Sequence, residues 1–228
     1  AIVGRPNVGK STLLNAILGE KIAIVSSKPQ TPRNRITGIY TNGDDQYVFL
    51  DTPGIHAPKN SLGEYMVKTA DTSMRDADAV VLVVDVTKEI TSVEENVISY
   101  LKKSGIPSIL ALNKIDTCDR EALAATITKY AEKHDFDAFI PMSAKKNKNV
   151  DDLMKECSKF LCESEWFFPE DMVTDQPERQ IVAEIIREKI LRTLNKEIPH
   201  GTAVVIEEFK DEGTLLRIRA EIFCEKAS

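Results

Sequence analysis

Residues 4–12 read Gly4-Arg5-Pro6-Asn7-Val8-Gly9-Lys10-Ser11-Thr12. A Gly-x-x-x-x-Gly-Lys-Ser spacing is that of a phosphate-cradling loop. The glycines let the backbone curl so that successive N–H groups face an anion. Lys10 brings a cation to the outer phosphates, and the Ser11 hydroxyl is of the type that ligates Mg²⁺. The following run, TLLNAILG, reads as a helix closed by Gly19, with its positive end toward the phosphates. The bland alternative, an ordinary turn, is disfavoured because an apolar strand, AIV, precedes the loop and a helix follows it.

Three further motifs fall after apolar runs. Asp51-Thr52-Pro53-Gly54-Ile55 follows YVFL. Asp51 would hold Mg²⁺ through water, and the Gly54 N–H would meet a γ-phosphate that is present before hydrolysis and absent after it, the basis of a two-state switch. Asn113-Lys114-Ile115-Asp116 follows SILAL. A carboxylate at Asp116 accepts paired hydrogen bonds from the N–H and amino donors of guanine, whereas adenine would leave it unpaired. Asn113 would tie this loop to the phosphate loop, and the Lys114 stem would cover the base. Ser143-Ala144-Lys145 follows AFIPM, where the Ala144 N–H would meet the guanine carbonyl oxygen. A lone tetrapeptide could be a solvated turn, but the motifs occur in order, each after a strand. They predict GTP and GDP as ligands, with Mg²⁺, and exclude ATP.

The elements that must position these residues follow from hydrophobic period. Near-continuous apolar runs at 1–3, 47–51, 79–85, 108–113 and 138–142 alternate with helical stretches at 61–76, 91–104, 118–134 and 150–162. That pattern is an α/β fold, a parallel sheet covered on both faces. ITGIYT and QYVFLD flank NGDD, a hairpin signal that makes one strand of a six-stranded sheet antiparallel. In such sheets ligands lie beyond the carboxyl ends of the strands. We expect a nucleotide-binding domain over 1–163 and a linker over 164–176 containing Trp166, Phe167 and Phe168, which would pack the linker onto a domain. A small α-β-β unit over 177–228 should carry a helical apolar stripe at Ile181, Ile185, Leu191 and Leu194. In its second strand Leu216, Ile218, Ala220, Ile222 and Cys224 alternate with Arg217, Arg219, Glu221 and Glu225. A unit of roughly fifty residues is small for independent stability, and the expectation is that it is incomplete here.

Composition bounds the function. With 228 residues, 42% hydrophobic content and a net charge of −6, the chain supports a real core but has no strongly basic segment that would advertise nucleic-acid binding by charge alone. Cys118, Cys157, Cys162 and Cys224 lack metal or disulfide spacing, which suits free thiols in a reducing cytosol. His56, His134 and His200 are scattered. The sequence begins inside a strand without a Met, so targeting cannot be read from it.

On GRPNVGKST, KPQTPRNRITGIYT, FLDTPGIH, LNKID, SAKK and the tail FFPEDMVTDQPERQIVAEIIREKILRTLNKEIPHG, the chain resembles the Era family of translation-factor-type GTPases across essentially its whole length. The resemblance implies GTP hydrolysis, with Lys10, Thr31, Asp51 and Gly54 as the catalytic set and Ser11, Thr31 and Asp51 on Mg²⁺. It implies a KH-type second domain gripping the 3′ end of small-subunit ribosomal RNA, a role in assembling the 30S-type subunit, no DNA partner, and a cytoplasmic protein with peripheral inner-membrane contact. Three departures bear on this. The family usually has two threonines where this chain has Thr31-Pro32, and proline cannot ligate. Ile55 stands where Ras-type switches place a water-orienting Gln; some similar GTPases use K⁺ held partly by the P-loop Asn, here Asn7, for which a turn-stabilising role is the alternative. The KH G-x-x-G clamp is not among the 228 residues. Two alternatives remain: a P-loop kinase or ATPase, against which NKID speaks, and a GTPase whose second domain binds protein or membrane rather than RNA.

Overall fold

The computed structural model describes residues 1–25, 35–55, 69–193 and 202–224. Six strands form one sheet: β1 (Ile2–Val3), β2 (Ile36–Asn42), β3 (Asp45–Asp51), β4 (Val80–Asp85), β5 (Ser108–Asn113) and β6 (Ala138–Pro141). Their spatial order is β2-β3-β1-β4-β5-β6. All neighbours are parallel except the β2–β3 hairpin, whose register runs from Ile36–Asp51 to Asn42–Asp45. Gly43 turns that hairpin at φ 62°, a backbone region that carries little penalty without a Cβ.

Every residue of β4 and of β5 is buried, which is why both read as unbroken apolar runs. Alternate side chains serve opposite faces. Val81, Val83, Ile109 and Ala111 pack with Leu13, Leu14 and Leu153; these last come from α1 (Lys10–Leu18) and α5 (Val150–Cys157). On the other face Val80, Leu82, Val84, Leu110 and Leu112 pack with Val97, Ile98, Leu101 and Tyr130. Those belong to α3 (Ser92–Ser104) and α4 (Arg120–Ala131), with α2 (residues 69–75) beside them. Each fully buried Leu, Ile or Val contributes about 1.5–3 kcal/mol, so this sandwich sets the strand ends firmly. Local signals agree: α3 starts at a Thr91/Glu94 capping box and stops at Gly105, as its sequence dictates.

The segment before α6 (Glu178–Thr193) runs along β2, the sheet's edge. Gln46 accepts from the Phe167 and Phe168 N–H groups at 3.0 Å and donates to the Phe168 carbonyl at 2.9 Å. The Ile39 N–H donates to the Val173 carbonyl at 2.8 Å, and the Thr174 hydroxyl to the Thr37 carbonyl at 2.7 Å. An edge strand whose N–H groups would otherwise face solvent is thereby covered. The Trp166 indole donates to the Asp44 carbonyl at 2.9 Å, but the Phe167 ring is 79% exposed. Attachment is carried by hydrogen bonds, most of them from a side chain to the main chain, more than by the burial of aromatic rings.

The chain ends its described course in α6, β7 (Thr202–Asp211) and β8 (Leu216–Cys224), the last two an antiparallel pair. The helical stripe differs from the apolar expectation. Leu191 is buried, yet Ile181 and Ile185 are only half-buried, while Arg187 and Glu188 are 2% and 0% exposed. Arg187 is inside because its Nε donates to the Thr202 carbonyl, at 3.2 Å, at the start of β7. In β8, Leu216, Ile218 and Ile222 are exposed. Leu194, Glu225, His56 and His200 lie outside the described residues.

Candidate nucleotide site

The expected site residues converge at the carboxyl ends of β1, β3, β5 and β6. Between β1 and α1 the loop is shaped by Gly9 at φ 108°, where an added Cβ would come within 2.2 Å of Asn113 Nδ2. Lys10 is 6% exposed, and its Nζ donates to the Gly4 and Arg5 carbonyls at 3.0 Å each. Burial, opposed by Asp51, lowers its pKa to about 8. The first turn of α1 has neither a side-chain cap nor an acidic residue, leaving its N–H groups for an anion.

Asp51, fully buried at the end of β3, accepts from the Ser11 hydroxyl at 2.7 Å. Its other oxygen, Oδ1, is buried with no hydrogen-bond partner among the described residues. Burial, against Lys10 and the Ser11 bond, raises the carboxyl pKa to about 6. An unsatisfied carboxylate oxygen beside a hydroxyl is the hard-oxygen donor set that Mg²⁺ takes, with phosphates and waters completing its shell. Among the described residues no three His, Cys, Asp or Glu cluster as a self-sufficient metal cage. Thr31, the third expected ligand, lies outside the described residues, as does Pro32. Gly54 presses on the loop: a Cβ there would stand 2.7 Å from Pro6 N and Cα. The Ile55 N–H donates to the Gly4 carbonyl at 3.1 Å, Thr52 donates twice to the Ile2 carbonyl, and the Ile55 side chain is buried in the core.

On the base side, Asn113 bridges two loops. Its Nδ2 donates to the Val8 carbonyl at 2.7 Å, and its Oδ1 accepts from the Ala144 N–H at 2.9 Å. The Ala144 N–H, expected at the guanine carbonyl, is thus engaged by Asn113. Lys114, at φ 70°, reaches across to the Asn7 carbonyl at 2.8 Å and to Asp85 at 2.7 Å. Asp116 is exposed and accepts from the Ser143 hydroxyl at 2.7 Å; that bond is the main cause holding its carboxyl below the usual range.

A cavity of about 890 Å³ joins these walls, with Asp116, Ser143 and Lys145 at one part and Asn7, Lys10, Ser11 and Thr12 at another. Asp51, Thr52, Pro53 and Gly54 stand behind Ser11 and Pro6, outside the cavity lining. Arg5, Pro6, Val8, Ile115 and Ala144 form framework around the cavity without lining it. The Arg5 guanidinium turns away to the buried Glu94. Asn7 sits in the left-handed region at φ 63°, a conformation that suits Asn.

Two residues went unforeseen. Asp85 closes β4 as Asp51 closes β3 and Asn113 closes β5. Burial alone would raise its pKa, but bonds from Lys114 and Thr87 hold it low. The polar ending of AVVLVVD was the available signal. Arg192, from α6, also lines the cavity, and helical periodicity offers no sign of that.

Residues 1–114 match the family model described as 50S ribosome-binding GTPase. Across its whole length the chain is 48% identical to GTPase Era of Ruminiclostridium cellulolyticum and 50% identical to that of Clostridium acetobutylicum, covering 77% of each. The chain belongs to the Era family of GTPases. A solved structure of Era in complex with MgGDPNP and nucleotides 1506–1542 of 16S ribosomal RNA matches with a TM-score of 0.91 and 40% identity, over 99% of this chain and 78% of that one. Aquifex aeolicus Era carrying one substitution and bound to GDP and aluminium fluoride matches with the same TM-score, identity and coverage. The mostly parallel six-stranded sheet is therefore an Era-type P-loop GTPase fold.

Proposed function

We propose that this GTPase is a guanine-nucleotide switch whose output is contact with the 3′ end of small-subunit ribosomal RNA during assembly of that subunit. The observation that carries the guanine assignment is Asp116, exposed at the cavity and oriented by Ser143, in one cavity with Lys10 and Ser11. Here Asp116 selects guanine and Lys114 shields the base. Lys10, already holding two carbonyls, shifts toward the phosphates as their charge offsets its burial. Ser11 and Asp51 would hold Mg²⁺, which supplies charge neutralisation on the β- and γ-oxygens. Ile55 is locked in the core, so no side chain at that position orients the attacking water. Unassisted hydrolysis is then slow, on the order of 10⁻⁴ s⁻¹ as for comparable switches. Asn7 is the residue that would hold K⁺ if an ion supplies the missing charge.

The RNA reading rests on the match to the Era complex with 16S RNA, which covers 99% of this chain. The family model with the 50S description spans only residues 1–114, which hold the phosphate and NK motifs and none of α6, β7 or β8. That same full-length likeness supports reading the C-terminal unit as KH-type. No helix among the described residues is long and apolar enough to cross a membrane, and nothing in them adds to the peripheral contact that the resemblance implies.

Calorimetry with GDP, GTP and ATP, followed by fluorescence anisotropy of a labelled RNA matching the 16S 3′ end, tests both parts. Guanine nucleotides should bind and ATP should not, and the RNA should bind several-fold tighter in the presence of GDPNP than of GDP. Comparable ATP and GTP affinities would sink the guanine assignment. Equal affinity for an unrelated RNA of the same length would sink the RNA assignment alone.

A further inference from the structure

Val25 and Arg35, the described residues on either side of 26–34, both give their carbonyls to the C-terminal part of the chain. Arg192 Nη2 donates to the Val25 carbonyl at 3.0 Å, and Gln176 Nε2 donates to the Arg35 carbonyl at 3.3 Å. Arg192 belongs to α6 yet lines the nucleotide cavity, alongside Lys21 and Val25 from the stretch after α1. The residue joining them is Glu188. It is 0% exposed, and its carboxylate lies 2.6 Å from Lys21 Nζ and 2.7 Å from Arg192 Nη2.

A buried carboxylate is unfavourable unless cations are held against it. Here the two cations come from different parts of the fold, Lys21 from the nucleotide side and Arg192 from one turn along α6. Without the carboxylate, Lys21 and Arg192 face each other as like charges at the cavity mouth, with side chains about half exposed and free to separate. The triad therefore closes only when α6 is seated on the stretch that follows α1, and seating α6 completes one wall of the cavity.

We propose that Glu188 is a positioning residue of the guanine-nucleotide site: it docks α6 at the cavity, so that nucleotide occupancy and docking of the C-terminal unit form one linked equilibrium. The proposal rests on the cavity's being the guanine-nucleotide site. Linkage is reciprocal: if docking tightens nucleotide binding, nucleotide must tighten docking by the same factor.

Two measurements on the full chain test this: release of a fluorescent GDP analogue by stopped flow, and amide hydrogen exchange across residues 183–193 with and without GDP. In the native chain GDP should slow α6 exchange by about fivefold or more, the low end of typical coupling. Glu188→Gln keeps the shape and removes the charge; it should abolish that nucleotide dependence and accelerate GDP release by a similar factor. Lys21→Ala and Arg192→Ala each leave one cation on the carboxylate and should give intermediate values, which keeps the test available if Glu188→Gln fails to fold. A triad that merely glues the two parts together would loosen α6 without changing GDP release, and that result overturns the proposal. So does α6 exchange that ignores GDP in the native chain. A native chain that binds no GDP at all would instead overturn the nucleotide reading beneath it.

Discussion

Asn113→Ala removes in one truncation both hydrogen bonds that join the phosphate loop to the base-side loop. The lost donor leaves the Val8 carbonyl, and the lost acceptor leaves the Ala144 N–H. Both bonds are buried, and Asn113 is 3% exposed, so water cannot readily replace the amide. A buried polar group left without its partner costs about 1–3 kcal/mol, which puts the unliganded protein about 2–4 kcal/mol below native. At about 2–4 °C per kcal/mol for this size of protein, the midpoint of thermal unfolding should fall by about 4–16 °C. GDP affinity should fall as well, by tenfold or more, since about 1.4 kcal/mol of lost register between the two loops suffices for that. Asp116→Ala is the contrasting variant, because Asp116 is exposed; it should abolish guanine selectivity and leave the unliganded midpoint within about 2 °C of native. Differential scanning calorimetry without nucleotide, paired with GDP titrations, measures both quantities. If Asn113→Ala melts like native protein while losing GDP, the bridge is a recognition element only and the structural argument is wrong.

Asp116→Asn should shift preference from guanine toward xanthine nucleotides, whose edge carries a carbonyl where guanine has its amino group; retained guanine preference in a competition assay would refute the edge-pairing. The pH dependence of the nucleotide-free protein, measured in EDTA, should carry the signatures of Asp51 and Lys10. With Asp51 raised from 3.8 to about 6, the folded state holds more protons than the unfolded chain in that window, so this group makes stability fall as pH rises through it, by about 3 kcal/mol in all. With Lys10 lowered from 10.5 to about 8, the unfolded chain holds more protons between those values, and stability recovers with rising pH by a similar amount. Asp51→Asn should flatten the acid limb and Lys10→Met the alkaline limb; variant profiles parallel to native would show that neither group is strained in the empty site.

How much of this was legible in the sequence depended on where each residue's partners lie. The doubly covered parallel sheet and the β2–β3 reversal follow from contiguous runs such as AVVLVVD and from NGDD, because strand burial and turn geometry are local properties written in a few neighbouring residues. The same locality exposes Lys10, Ser11, Asn113 and Asp116, whose roles come from standing just after a strand. Asp85 carries the same mark and was passed over because no motif surrounds it, although its bond to Lys114 helps brace the base-side loop. Glu188 is a different case. Periodicity sorts a helix into apolar and polar faces, and by that rule a Glu beside Arg187 belongs in solvent. Its burial is made tolerable by Lys21, a residue near the other end of the chain, so nothing within a helical turn or two could reveal it. The edge contacts of the Gln46 side chain with the main chain of residues 167 and 168 are hidden for the same reason, since the partner lies far along the chain and any residue there offers the same N–H. What local pattern cannot register here is the set of contacts between the nucleotide-binding sheet and the C-terminal helix. A protein whose output must depend on its nucleotide needs such contacts, and they are made by charge and main-chain polarity, which can be released without exposing apolar surface to water.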